Sequence, residues 1–139
     1  ALKLTAGDEL RAAYFLERRE MGVINIGGKG TMTLDGVKYD FDYKDGIYIG
    51  MGTKEVIFES ADAENPAKFY FNSAPAHKTY PTVFINPEKD ILPENKKELG
   101  CLENANHRTI RKYILPGQVE SCQLEMGMTA LESSTGALQ

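Results

Sequence analysis

Apolar and polar residues alternate with a period of two through much of the first half of the chain. Between positions 37 and 43, Val37, Tyr39, Phe41 and Tyr43 fall on one side, and Lys38, Asp40 and Asp42 on the other. Successive side chains of an extended chain point to opposite faces, so this is the pattern of a half-buried strand. Phe69 and Phe71 repeat it against Lys68 and Tyr70. Short runs rich in Val, Ile, Tyr, Phe and Thr, each bounded by Gly, Asp, Asn or Pro, predict strands at 22–26, 31–34, 37–43, 46–49, 54–59 and 67–71. Asp35-Gly36 between Leu34 and Val37 predicts a two-residue hairpin, because both central positions of such a turn need positive φ. Gly27, Gly28 and Gly30 predict a second tight reversal. Strands and turns at this regular spacing predict an antiparallel sandwich or barrel.

The pattern changes elsewhere. Residues 1–13 form a weakly amphipathic lead-in, either a helical turn with Asp8 and Glu9 near its start or an extended stretch. Residues 14–72 are expected to form the barrel core. Residues 73–106 hold four of the six prolines (Pro75, Pro81, Pro87 and Pro93) and predict an irregular arm. An arm of this kind lies over a surface or reaches a neighbouring subunit. Strand-like text resumes at 107–115 and 121–131, giving a further strand region at 107–132, and the end, 133–139, carries no strand signal and is expected to fray.

Composition narrows the classes. The chain has 139 residues, suited to one domain or one and a fraction, and its 42% hydrophobic content can supply a core. Sixteen basic against twenty acidic residues leave a net charge of −4, which argues against a nucleic-acid footprint. No apolar run approaches the ~20 residues of a membrane span. Cys101 and Cys122 fit no zinc-knuckle or redox-motif spacing. A disulfide between them and a pair of reduced thiols both stand open, and a cytosolic setting favours the thiols.

The order of strands, G-x-G turns and the D-G hairpin between Gly22 and Glu59 resembles the layout of a cupin barrel. A metal-binding cupin needs a His-x-His pair, a Glu and a further His aimed inward from neighbouring strands. Here the corresponding positions carry no His: Glu20 sits near the carboxylate position, and Glu55 near the last imidazole. Carboxylates alone suit a transition metal poorly, so no metal site is expected. The run Glu17-Arg18-Arg19-Glu20 is the densest charge cluster near the barrel. Arginine's planar fork matches both oxygens of a carboxylate, so Arg18 and Arg19 could hold an acidic ligand; the plainer reading is a self-neutralising edge. His77 and Tyr80, bracketed by Pro75 and Pro81, bring an acid–base group and a hydroxyl to one rigid loop. His107 opens a strand and reads as structural.

At these residues a specific resemblance emerges. YFLERREMGVINIGG at 14–28, NPAKFYFNSAPAHKTYP at 65–81, NHRTI at 106–110 and SCQLEMGMTAL at 121–131 are similar, in collinear order, to the 4-deoxy-L-threo-5-hexosulose-uronate ketol-isomerase family. The stretch 83–103 diverges. The resemblance implies the N-terminal cupin part of a two-cupin, cytoplasmic, homohexameric isomerase of pectin and uronate breakdown. Its substrate is a linear 4-deoxy-5-keto uronate (5-dehydro-4-deoxy-D-glucuronate), interconverted with 3-deoxy-D-glycero-2,5-hexodiulosonate. The resemblance also implies that residues 107–132 begin the second cupin half. Zinc belongs to that second half in the family, and none is expected on this chain. Glu17, Arg18, Arg19, His77 and Tyr80 are the candidates for a substrate-pocket wall. The alternative is a metal-free cupin module for oligomerisation or acidic-sugar binding.

Overall fold

The computed structural model describes residues 1–7, 11–100 and 107–131. The expectations for Asp8, Glu9, Cys101 and residues 133–139 lie outside the described residues. Eleven strands are present among those described: β1 (Leu2–Lys3), β2 (Arg19–Asn25), β3 (Gly30–Leu34), β4 (Val37–Phe41), β5 (Gly46–Ile49), β6 (Val56–Ser60), β7 (Phe69–Pro75), β8 (Val83–Ile85), β9 (Lys96–Leu99), β10 (Arg108–Ile114) and β11 (Met126–Leu131). All pairings are antiparallel, and they form three sheets, in the orders β1-β6-β3-β4, β7-β2-β5-β8 and β11-β10-β9.

The first two sheets enclose one core. Met32, Leu34, Val56 and Phe58 from one meet Met21, Val23, Ile47 and Ile49 from the other. Phe41 meets Phe69 and Phe84 edge-on, with ring centres 5.4 and 5.1 Å apart, the offset geometry aromatic pairs prefer. This is the all-β, jelly-roll arrangement expected of a cupin-type fold, although the ladders do not run on from one sheet to the other. The hairpin at Asp35-Gly36 has φ of 47° and 86°. The Asp35 carboxylate also accepts from the Lys54 and Glu55 amides at 3.0 and 2.7 Å, which ties the hairpin to the lead-in of β6.

A second core lies on the other face of the β7-β2-β5-β8 sheet. There Ile24, Tyr48 and Ile85 pack against Tyr113, Ile114, Leu124 and Met126. The middle strands are therefore buried on both sides. β5 has no exposed residue, and β2 only a half-buried Arg19. In β2, Met21 and Val23 enter the first core, while Glu20, Gly22 and Ile24 face the third sheet. Period-two alternation survives as a choice between two apolar layers, not between core and water.

Several expectations change at this level. Val37 and Tyr43 are more than half exposed, so only Tyr39 and Phe41 of the predicted apolar face turn inward. β7 runs on to Pro75, so a boundary at 72/73 cuts through a strand. The proline-rich arm carries two strands of its own, β8 paired with β5 and β9 paired with β10. Val83–Ile85 is a three-residue strand hemmed in by prolines, and Lys96–Leu99 is an edge strand of sequence KKEL. Neither carries an apolar period, and charged edge strands are the rule where a ladder ends in water. Residues 121–125 are not strand; they wrap onto the barrel, and β11 begins only at Met126.

Candidate functional site

The charged run at 17–20 enters β2, and the strand's alternation sends its members apart. Glu20 turns toward the third sheet and is fully buried. One carboxylate oxygen accepts from Tyr48 Oη at 2.6 Å and from the Cys122 amide at 2.9 Å. The other accepts from the amides of Gln123 and Leu124 at 2.8 and 2.9 Å. Burial alone would raise its pKa, but the Tyr48 hydroxyl and the three amides outweigh it and hold Glu20 below the ordinary carboxylate value. Tyr48 is pushed the other way, by burial and by the carboxylate it serves. Glu20 is thus a pin. It neutralises three consecutive backbone donors and ties 122–124 to the barrel.

Arg19 sits one residue back and is half-buried. Its Nε donates to Ser73 Oγ at 3.0 Å and its Nη2 to the Ser73 carbonyl at 3.2 Å. Arg18 is more exposed. Its Nη2 donates to the Arg11 carbonyl at 3.0 Å, and its Nη1 lies 3.6 Å from Glu17. Glu17 also accepts from the Ala13 amide at 3.3 Å. Arg18 and Arg19 line one cleft of about 310 Å³ together with Ala12, Phe15, Pro75 and Ala76.

The remaining candidates are not gathered there. Tyr80 lines a separate cleft of about 340 Å³ with Gly50–Thr53 and Thr79, and Lys78 Nζ stands 5.0 Å above its ring. His77 is exposed, one residue beyond Ala76, whose amide donates to the Arg18 carbonyl at 2.9 Å. Neither Glu17 nor His77 lines either cleft. The five sequence candidates therefore form an arginine pair with Glu17 beside Arg18, and two separate groups, His77 and Tyr80. A larger cleft, about 600 Å³, holds none of them; it is walled by Leu2, Phe58, Phe69 and Phe71 beside Glu59 and Ser60. Sequence reasoning missed Tyr48 and Ser73, which decide how Glu20 and Arg19 point. Neither carries a local signal, since their partners lie 28 and 54 residues away.

The described residues do not suit a zinc ion. They contain no group of three or more His, Cys, Asp and Glu able to hold one. Both oxygens of Glu20 are taken by hydrogen bonds, and Glu55 pairs with Lys3 at 3.0 Å. His107 stands 3.8 Å from Glu98 at the edge of the third sheet. The Cys122 thiol is partly buried and donates to the Lys78 carbonyl at 3.3 Å.

Fold and site together define an antiparallel all-β domain of cupin-like class, with an arginine cleft at one end of its central sheet. A family model described as the KduI/IolB family matches residues 1–136, and the chain belongs to that family. It is 70% identical over 131 residues to a 4-deoxy-L-threo-5-hexosulose-uronate ketol-isomerase of Lachnoclostridium phytofermentans, covering 94% of this chain and 46% of that protein. The enzyme of the same name from Lachnospira eligens is 67% identical over 94% of this chain and 47% of its own length. That from Escherichia coli (strain SE11) is 52% identical over 90% and 44%. The chain thus spans about half the length of the curated relatives it matches. Among solved structures, a protein of Pseudomonas aeruginosa described as glyoxylate-induced superposes on 70% of this chain and 41% of its own, at 12% identity and a TM-score of 0.49. That fit is too loose to bear on function.

Proposed function

We propose that this chain is the N-terminal cupin part of a ketol-isomerase. The enzyme would interconvert 5-dehydro-4-deoxy-D-glucuronate and 3-deoxy-D-glycero-2,5-hexodiulosonate in the breakdown of pectin-derived uronates. The observation that carries this reading is the 70% identity over 131 residues to a protein of that name. At that level the fold, the buried pin and the charged entrance of β2 are expected to be shared. The reaction moves hydrogen between adjacent carbons with no net change in oxidation state. It needs a base for the carbon acid and an electrophile for the carbonyl oxygen. In the family that electrophile is zinc, and the described residues offer it no site, so the metal would be held by the part of the protein that this chain does not span. The role left to this chain is scaffold, assembly contact and part of a pocket wall, for which Glu17, Arg18, Arg19, His77 and Tyr80 remain the candidates. A homohexamer in the cytoplasm belongs to the same reading. No helix among the described residues is long and apolar enough to cross a membrane.

The test is an isomerase assay on the full-length gene product, with the unsaturated uronate released by a pectate lyase as substrate and proton NMR as readout. Turnover with near-stoichiometric zinc in the full-length protein is the expected result. A zinc-loaded protein that leaves the uronate unchanged would refute the isomerase reading, and a zinc-free one that binds the uronate without turning it over would favour the metal-free binding module.

A further inference from the structure

The arginine cleft is more specific than a charged edge. A guanidinium has five N–H donors arranged along two bidentate edges. In Arg19 the side-on edge, Nε and Nη2, is taken by Ser73 Oγ and the Ser73 carbonyl. The end-on edge, made by Nη1 and the second Nη2 hydrogen, has no partner among the described residues. Ser73 belongs to β7, whose register sets Arg19 opposite Pro75 in the ladder with β2. The guanidinium is thus held in place by the sheet, so little side-chain freedom is lost when a second partner binds.

The surroundings suit an anion with an apolar body. Ala12, Phe15, Pro75 and Ala76 make an uncharged wall, and Arg18 supplies a second cation. Among the described residues, Glu17 is a nearby acid, and it is turned to Arg18 and the Ala13 amide. Glu20, next in sequence, is on the opposite face of β2 and fully buried beneath residues 122–124. It does not neutralise the cleft.

We propose that this cleft is a carboxylate-binding site for a monomeric sugar acid, with the end-on edge of Arg19 gripping the carboxylate and the Phe15–Pro75 wall meeting the sugar ring. A planar carboxylate matches two parallel N–H donors, whereas a hydroxyl-only sugar leaves them unpaired. The choice of a sugar acid rests on the isomerase reading. The binding test is independent of it, because it needs no turnover: turnover without binding here would refute the site alone, and binding without turnover would refute the isomerase reading alone.

The experiment is a titration of the 139-residue chain with D-galacturonate, D-galactose and inorganic phosphate, followed by amide chemical shifts of Arg18, Arg19 and Ala76. Galacturonate is expected to shift these amides saturably in the millimolar range, with galactose inert. Arg19→Lys keeps the charge but loses the planar edge, and should weaken binding about tenfold. Ala12→Phe fills the cleft without touching Arg19 and should abolish binding, which keeps the test decisive if Arg19→Lys loosens β7. Melting curves of both variants certify that they are folded. Equal response to galactose, tighter binding of phosphate than of galacturonate, or unchanged affinity in both folded variants would each overturn the assignment.

Discussion

Glu20 illustrates how a residue's neighbours decide its role. Its type and position suited a metal-binding carboxylate, yet it accepts four hydrogen bonds within the fold. Hydrogen bonds to a charged acceptor contribute ~1.5–3 kcal/mol each, and a buried donor left without a partner is costly. Glu20→Gln replaces one acceptor oxygen by an amide that faces donors. It should lower the unfolding free energy by about 3 kcal/mol in urea titrations. The pH dependence has a definite sign. The folded-state pKa of Glu20 is depressed, so its contribution is complete above the unfolded carboxyl value of ~4.3 and is lost as pH falls through the folded value. The gap between wild type and Glu20→Gln should therefore be full at pH 7 and narrow progressively below about pH 4. A gap that stays constant down to pH 2 would contradict the pin.

At the scale of elements, the notable contact is β2 against β10 and the chain leading into β11. A Cβ placed on Gly22 would lie 2.7 Å from Ile114 Cδ1 and 2.8 Å from Met126 Sδ, so the absence of a side chain lets the third sheet approach. β10 answers with a register shift between Lys112 and Ile114, and this turns two consecutive residues, Tyr113 and Ile114, into the core. Such an irregularity re-aims side chains that strict alternation would send to opposite faces. Gly22→Ala should cost ~1–3 kcal/mol through overpacking. Adding Ile114→Val removes the clashing methyl, so the double variant should be more stable than the sum of the single effects predicts. Strict additivity in a double-mutant cycle would mean that the two elements do not press on each other as described.

For the whole molecule, the consequence is that two cores share one sheet. The middle strands β2 and β5 contribute to both, so neither core can be lost without exposing the other. Urea unfolding of the chain should therefore be a single transition. Far-UV circular dichroism, reporting strands, and near-UV tyrosine circular dichroism should give the same midpoint. The tyrosine signal is usable because the chain has seven tyrosines and no tryptophan, with Tyr48 and Tyr113 both in the second core. Separated midpoints would mean that the third sheet unfolds on its own.

The strands of the first core were legible in the chain because their evidence is local. Period-two alternation locates them, and Asp35-Gly36 locates their hairpin, since positive φ is a demand on those two residues alone. The arginine pair was legible as a charge cluster for the same reason. Burial of β2 and β5 on both faces was not, because an apolar run does not reveal what covers its second side. β8 and β9 were not, because short or charged edge strands exist only through the neighbours they pair with. The direction of each charge at the entrance of β2 was not legible either. The Glu20 partners at Cys122–Leu124 lie more than a hundred residues downstream, and Ser73 lies 54 residues from Arg19. Local patterning thus set where the chain is extended and where it turns. Long-range packing decided that one carboxylate became a buried pin while its neighbouring arginine was left with an open edge, because only the docking of the third sheet and of β7 brings those donors and acceptors within reach.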